Sequence, residues 1–243
     1  KCTFENLNYN YREFKPRLTD KVLKVMGFDS EAYDTGEPFM YCLSDGKLIQ
    51  PHNFINELIT SRYWGTKFVV YNLKYEEGAI LYNFPREVQE CIRLYGRYPA
   101  QKDDYNIING ITIRSIPQKE LTISRNKHTI TFYDISQFYG MTLDKASALY
   151  LNEQKKEIET KTFTLDYVSD NWQKLKDYCI QDAVLTQRLA EYFIDILIKE
   201  FKIFPQKLYS TGYIAGVHFS KTCGVVDVRR YWNHHRELLD FAY

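Results

Sequence analysis

The sequence predicts an α/β domain in which helices flank a central mixed β-sheet. Strand-like stretches come first, within residues 22–50, and short β-branched stretches then alternate with helical segments. A long stretch with apolar residues at helical spacing, from about residue 170 to 201, follows them. Segments in this order pack as a sheet covered by helices. At 243 residues with 44% hydrophobic side chains, the chain can bury a core of that kind.

The individual elements are predicted from periodicity and from turn residues. Apolar alternation and β-branched runs indicate strands, Asp-Gly and Thr-Gly pairs indicate turns, and apolar residues at helical spacing indicate helices. In chain order we expect strands within 22–50 with turns at Asp34–Gly36 and Asp45–Gly46, a helix at 51–63 capped by Asn53, a strand at 67–72, helical structure at 76–95, short strands within 105–134, a compact helix at 141–151, a solvated loop or arm at 153–161 and a long helix at 170–201.

Changes in composition along the chain predict three parts. Residues 1–20 are aromatic and basic without periodicity and are expected to form an N-terminal arm. Residues 21–204 form the predicted α/β domain. Residues 205–243 differ again in composition and are expected to form a linker.

Composition narrows the classes of protein that the chain can represent. Charge is nearly balanced, with 32 Lys and Arg against 31 Asp and Glu, so no polycationic surface indicates nucleic acid or a membrane. A protein without such a surface can still hold a short nucleic-acid strand through metal ions and base stacking. No apolar run is long enough to span a membrane. Five widely separated cysteines without a C-x-x-C give neither a disulfide framework nor a zinc pattern, so we expect a reducing, cytoplasmic or nucleoid-associated location.

Two acidic residues stand at the end of the first predicted strand. The stretch K-V-L-K-V-M-G-F-D-S-E ends in Asp29 and Glu31. Because alternate residues of a strand share a face, Leu23, Val25 and Gly27 form a face that finishes in these two carboxylates. Burying unpaired carboxylates is costly, and a divalent cation such as Mg²⁺, which prefers oxygen ligands, removes that cost. Taken alone, D-x-E more often marks two solvated acids.

Two later stretches also place acids where a strand or helix could aim them inward. Y-N-L-K-Y-E-E-G, at 71–78, lies where a hydrophobic strand meets a helix, although acids there also favour the positive end of the helix dipole. Y-C-I-Q-D, at 178–182, separates Tyr178 and Asp182 by four residues, so that they share a helix face. Each stretch alone is weak evidence, because both patterns are common on ordinary helices.

Together the three stretches resemble the three exonuclease motifs in the proofreading domain of family B DNA polymerases. They occur in the family's order: D-x-E ending the first strand, then Asn72 to Glu76, then Y-x-x-x-D on a late helix. T-F-Y-D-I-S-Q-F-Y-G-M-T-L-D-K-A-S-A-L-Y-L is similar to the strand and helix between the second and third motifs, and Y-S-T-G-Y-I-A-G-V-H-F to the segment leading toward the polymerase palm. The resemblance covers roughly residues 20–220 and implies a ribonuclease H-like (DnaQ-type exonuclease) fold.

The resemblance implies a two-metal 3′→5′ exonuclease that uses Mg²⁺ or Mn²⁺ and a catalytic set of four acids and one tyrosine. By this comparison Asp29 bridges both metals, Glu31 and Asp182 complete the site of the metal that activates water, and Glu76 holds the second metal. Tyr178 orients the attacking water. Two metals held in this way stabilise the attacking and the leaving oxygen of a phosphodiester.

The same resemblance implies which residues contact the substrate, a single-stranded or frayed DNA 3′ end. Asn72 is expected to contact the strand near the scissile bond. Phe28 is expected either to pack beside the terminal nucleotide or to belong to the core. RNA is an alternative substrate, because discrimination depends on 2′-hydroxyl contacts that the sequence does not reveal.

The sequence departs from the family pattern at two points. The second motif of the family ends in Asp, whereas Glu76 stands here, one methylene longer, so weakened activity is expected; Glu77 is out of register. No polymerase motif is present, so we expect either a fragment of a longer polymerase or a stand-alone relative of its exonuclease domain. In a fragment, the polymerase domain of the parent chain would be the partner. The absence of an initial Met favours the fragment. The alternative is an inactive module that binds single strands or a partner protein.

Overall fold

The protein is an α/β structure whose eight-stranded mixed sheet is flanked by helices. The computed structural model describes residues 21–60, 62–100, 108, 110–125, 128–156, 158 and 162–223. The predicted arm at 1–20 and the part of the predicted linker at 224–243 lie outside the described residues. Among the described residues, no helix has both the length and the apolar character needed to cross a bilayer.

The strands and helices alternate along the chain much as the periodicity predicts. The strands are β1 (Met26–Ala32), β2 (Pro38–Leu43), β3 (Leu48–Ile49), β4 (Lys67–Val70), β5 (Arg97–Tyr98), β6 (Ile111–Ile116), β7 (Glu120–Arg125) and β8 (His128–Asp134). The α-helices are α1 (Phe54–Leu58), α2 (Leu73–Leu81), α3 (Arg86–Tyr95), α4 (Ser136–Tyr139), α5 (Leu143–Ala146), α6 (Leu165–Asp170), α7 (Trp172–Phe201) and α8 (Thr211–Cys223).

Three parallel strands lie at the centre of the sheet. The strand order is β3-β2-β1-β4-β8-β7-β6-β5; β4 runs parallel to both β1 and β8, and the other pairs are antiparallel. The carboxyl ends of β1, β4 and β8 therefore lie at one edge of the sheet. In open α/β sheets, ligands bind in the crevice outside these ends. The predicted D-x-E motif stands at this edge because it ends β1.

The two faces of the sheet carry separate cores, as the alternation of side chains requires. Phe28, Phe68 and Phe132 pack together on one face, beneath α1, α2 and α3. Val69 and Tyr133 point to the other face and pack with Leu185 and Leu189 of α7. Central strands buried on both faces explain why these stretches are nearly continuous apolar runs.

Several predicted boundaries are corrected by the structure. The helix expected at 51–63 is a 3₁₀ turn at Pro51–Asn53 followed by the short α1, because the chain bends at Ile59 to bury it; Asn53 makes no side-chain cap. The helical stretch expected at 76–95 is two helices, since Pro85 separates α2 from α3. The compact helix at 141–151 is α5, capped by Thr142 and continued by a π-helical turn.

Helix α7 approaches β1 unusually closely. A Cβ atom on Gly27 would lie 1.8 Å from the carbonyl oxygen of Ala183, so only glycine permits this contact. The Gly27 amide also donates hydrogen bonds to Ser44 Oγ at 2.9 Å and to Gln187 Oε1 at 3.3 Å. Gly27, Asp29 and Glu31 share a strand face, so the face that ends in the two acids is the one covered by α7.

We predict that Gly27→Ala destabilises the protein by about 3 kcal/mol, because the helix must move away from the strand or the backbone must distort. Thermal unfolding measures this change. Gly78→Ala is the matched control: nothing lies within 4 Å of a Cβ at that position in α2, so it should leave stability unchanged or raise it. Equal melting temperatures for Gly27→Ala and the wild type would contradict the contact.

Candidate active site

Asp29 and Glu31 are buried at the end of β1, beneath α7. Their exposed fractions are only 8% and 7%. In the ladder between β1 and β2, Asp29 lies opposite Cys42 and Glu31 opposite Met40. The strand therefore places the two carboxylates side by side on a covered face, as alternation along the strand predicts.

Glu76 reaches the same place from α2. The helix begins directly after β4, and Asn72 makes the turn between them in the left-handed region, at φ 86°. Glu76 lies in the first helical turn with 2% exposure, and Ser30 Oγ donates a hydrogen bond to its Oε2 at 2.6 Å. Glu77 is not part of this group, since its carboxyl pairs with Ser115. Of the two adjacent acids, Glu76 is therefore the one that is buried beside Asp29 and Glu31.

Helix α7 supplies Asp182 and Tyr178 from the opposite side. Asp182 is 3% exposed, and its Oδ1 is a buried atom without a hydrogen-bond partner. Tyr178 lies one turn earlier, half-buried, on the same helix face. Four carboxylates from three distant stretches of the chain therefore meet at the carboxyl edge of the sheet.

Lys155 is a site residue that the sequence interpretation missed. The 153–161 stretch was expected to be solvated, and this is wrong for Lys155: its side chain is 22% exposed and its Nζ forms an ion pair with Asp182 Oδ2. The same Nζ lies 4.6 Å from the centre of the Tyr178 ring. In a run of charged residues, nothing local distinguishes this lysine from Lys156, whose Nζ donates instead to the Asp177 carbonyl on an exposed part of α7.

Burial and mutual repulsion raise the pKa values of all four acids. Burial raises the pKa of Asp29 and of Glu31 well above the ordinary range, and the charge of Asp182 adds to both shifts. Burial and then Asp29 raise the pKa of Glu76. Burial raises the pKa of Asp182 to about 6, while Lys155 and Tyr178 act in the opposite direction. Lys155 therefore neutralises only part of the charge.

This donor set fits divalent metal ions. Oxygen ligands dominate it, as hard cations require, and Asp182 Oδ1 is buried without a hydrogen-bond partner. Carboxylate oxygens of Asp29 and Glu31 and the sulfur of Cys179 lie within 4.8 Å of one another, close enough for one ion to reach all three. Asp29, Glu31 and Cys179 could therefore hold one ion, and Glu76 and Asp182 are further carboxylates that line the same cleft.

The four acids line an open cleft of about 930 Å³. Asn72, predicted to contact substrate, lines this cleft together with the exposed ring of Tyr75. Phe28 does not: it is 0% exposed and stacks on Tyr41 in the first core. Of the two alternatives for Phe28, its burial supports the core.

Asp134, at the end of β8, is a second residue that the motif comparison missed. Its Oδ2 accepts from the Leu73 amide at 2.9 Å, and its Oδ1 accepts from the Ser136 amide at 2.8 Å and hydroxyl at 2.6 Å. Asp134 therefore ties the start of α2, and with it Glu76, to the sheet. An acid at the carboxyl end of a central strand is the signal by which it could have been found.

Comparison with known proteins does not assign a family. No protein-family model matches the chain, and no curated protein matches it. Function is therefore inferred from the geometry of the site together with the three motifs.

We predict that Asp29→Asn stabilises the metal-free protein at pH 7.5 by about 2–4 °C in melting temperature, the shift that about 1 kcal/mol produces at this size. An acid with a raised pKa in the folded state binds protons more tightly there, so stability falls as pH rises through the window between the two pKa values. For Asp182 the pKa rises from 3.8 to about 6 on folding, so the loss of folding stability builds up between these pH values and is complete above pH 6.

Melting curves in chelator at pH 5 and pH 7.5 test this sign. The wild type should lose stability between the two pH values by more than Asp29→Asn does. Mn²⁺ should restore stability to the wild type at pH 7.5 and have less effect on the variant. A lower melting temperature for Asp29→Asn at pH 7.5 would show that repulsion is not the dominant effect.

Proposed function

We propose that the protein is a metal-dependent 3′→5′ exonuclease that removes nucleotides from the 3′ end of single-stranded or frayed DNA. The observation that carries the proposal is the convergence of Asp29, Glu31, Glu76 and Asp182 in one buried cluster at the floor of an open cleft. Like charges buried together are unfavourable unless a ligand compensates them. Raised pKa values in a cleft are typical of functional sites.

The four acids would hold two Mg²⁺ or Mn²⁺ ions. When bound, such ions neutralise charge on the scissile phosphate and lower the pKa of a water molecule, which supplies the nucleophile. Burial, then the charges of Asp182 and Glu31, raise the pKa of Asp29, so this carboxylate is one that a bound cation would stabilise as the anion. The hydrogen bond from Ser30 orients Glu76, which offsets the freedom that its longer side chain gains over Asp.

Tyr178 and Lys155 would position the reacting groups. Burial and then Asp182 raise the pKa of Tyr178 to about 12, so its hydroxyl keeps its proton at neutral pH and can donate to a water molecule or a phosphate oxygen. Burial alone would lower the pKa of Lys155, but Asp182 raises it above its ordinary value, so the ammonium stays charged. Beside the cleft it supplies a fixed positive charge for a developing anion.

The cleft has the size and lining that the 3′ end of a DNA strand requires. Its 930 Å³ is near the upper end of ligand pockets, which span about 300–1,000 Å³. Tyr75 is 45% exposed on its wall and offers an aromatic surface on which a base can stack. Asn72 lies next to it and offers an amide to the backbone of the strand.

The finer assignments belong to the same proposal. The mixed sheet, with acids on its first strand, on the helix after the second parallel strand and on a late helix, supports a ribonuclease H-like fold. The three motifs support descent from the proofreading domain of a family B DNA polymerase, with the polymerase domain elsewhere in the parent chain.

We predict that a 5′-labelled single-stranded DNA is shortened stepwise from its 3′ end in Mg²⁺ or Mn²⁺, and that chelator or Asp29→Ala abolishes the reaction. Loss of the bridging carboxylate removes a ligand of both ions, so the rate should fall by about 10³-fold or more. Gel electrophoresis of a time course measures it. An unchanged ladder with Asp29→Ala would overturn the site assignment.

Glu76→Asp separates the alternatives that the sequence leaves open. If the wild type cleaves DNA and Glu76→Asp cleaves it faster, the longer side chain of Glu76 weakens an otherwise intact site. Strand binding without cleavage by either protein would favour a module that binds nucleic acid. Faster cleavage of a matched RNA oligonucleotide would assign the substrate to RNA.

We predict that Lys155→Ala shifts the acidic limb of the pH–rate profile to higher pH and lowers the rate by about 10²–10³-fold. Lys155 opposes the rise in the pKa values of Asp29, Glu31 and Asp182, so its removal leaves these acids protonated up to a higher pH. Lys156→Ala is the matched control, because the Lys156 ammonium donates to the Asp177 carbonyl of α7 and not to the acids of the site. Equal profiles for the two variants would show that Lys155 has no special role.

A further inference from the structure

Cys179 is a site residue to which the proposed reaction gives no role. It lies between Tyr178 and Asp182 on α7, is 0% exposed, and donates a hydrogen bond from Sγ to the Asp29 carbonyl at 3.6 Å. Its sulfur and the carboxylate oxygens of Asp29 and Glu31 lie within 4.8 Å of one another. The sulfur is thus a fourth kind of side chain in the acidic cluster, beside the carboxylates, the tyrosine and the lysine.

A second observation is a buried oxygen atom without a hydrogen-bond partner on the α7 side of the cluster. Asp182 is 3% exposed and its Oδ1 lacks a hydrogen-bond partner, while Lys155 pairs with Oδ2. Asp182 lies three residues after Cys179, so the two side chains share a face of α7. After burial, the charge of Asp182 is the next cause that raises the pKa values of Asp29 and Glu31. Oδ1 is therefore the oxygen of Asp182 that remains without a protein partner when Lys155 is bound.

The chemistry of this donor set differs from that of an all-carboxylate site. Mg²⁺ takes oxygen ligands in an octahedral arrangement and gains little from a thiol. Zn²⁺ and Cd²⁺ are softer and bind thiolates well; four-coordinate zinc sites combine cysteine sulfur with carboxylate oxygen. One sulfur and two carboxylates lie within reach of one ion, with Asp182 on the same helix face as the sulfur, and these donors match such a site in kind.

We propose that Cys179, Asp29 and Glu31, with Asp182 on the same side of α7, form a binding site for a thiophilic divalent cation, Zn²⁺ or Cd²⁺, which competes with the hard cations that the proposed exonuclease reaction requires. Binding breaks the Cys179 S–H bond and the hydrogen bond to the Asp29 carbonyl; the proton is released to solvent and the thiolate sulfur binds the cation. A cation held by the thiolate would occupy Asp29 and Glu31, two of the carboxylates that the proposed reaction needs. The resulting inhibition rests on the proposed function; the binding itself does not.

The chain provides a matched control in Cys42. This residue is also 0% exposed, lies opposite Asp29 on β2 and neighbours Cys179, but its sulfur is not among the donors within 4.8 Å of the two acids. Cys42→Ala removes a buried thiol from the same region and leaves the proposed ligands in place. Any general effect of losing a buried sulfur should therefore appear in both variants.

Titration of the metal-free full chain with Cd²⁺ tests the site through the ultraviolet absorbance of the cadmium–thiolate bond. The wild type and Cys42→Ala should show a saturable band that excess Mn²⁺ removes. Cys179→Ser should lack this band and bind Cd²⁺ about 10–100-fold more weakly by calorimetry, since even outer-shell partners of a metal are worth that much. The wild type and Cys179→Ser share all other cysteines, so a difference between their Cd²⁺ absorbance bands is due to Cys179.

Two results would overturn the inference: no Mn²⁺-sensitive band in the wild type, or the same band in Cys179→Ser. The wild-type competition needs no variant, so it decides the matter even if Cys179→Ser does not fold. A band in a protein without nuclease activity would support the cation site and count against the exonuclease. Nuclease activity in Mg²⁺ without any band would do the reverse.

Discussion

The close approach of α7 to β1 is the constraint on which the rest of the site depends. Gly27 lets the Ala183 carbonyl lie where any other side chain would begin. Because residues three and four apart share a helix face, the turn that touches Gly27 also carries Cys179 and Asp182 toward the strand. Asp29 and Glu31 follow Gly27 on the same strand face. A wider separation between helix and strand would leave the acids of the first and third motifs too far apart to share a ligand.

The fold tolerates this cluster because its stability arises elsewhere. Two apolar cores cover the two faces of the central strands. Fully buried rings such as Phe68 and Phe132 stack on each other within the first of these cores. Natural proteins remain only marginally stable in total, so a buried group of repelling acids persists where function requires it. The ion pair of Lys155 with Asp182 reduces the repulsion without removing it.

The sequence predicts the central strands, the long helix and most of the site, and the reason is physical. Strand alternation and helical spacing are local, so they place Asp29 beside Glu31 and Tyr178 on the face of Asp182. The short α1, the break at Pro85 and the site position of Lys155 depend on tertiary packing or on distant partners, which local patterns do not encode. Cys179 illustrates the same limit: no C-x-x-C spacing announces it, because its oxygen neighbours come from a strand 150 residues away.

That separation also determines when the site comes into existence during folding. Closing a chain segment of this length carries a loop-closure entropy that local helices and hairpins do not meet, so contacts between α7 and β1 form late in a chain that folds from local structure outward. Until they form, β1 and β2 present at most half of the acidic ligands, and the partly folded chain lacks Asp182 and Tyr178 at the cleft. The hydrogen bond from Cys179 to the Asp29 carbonyl therefore marks the point at which a sheet with two exposed acids becomes a complete acidic cluster, and a chain trapped before that step would present only part of it.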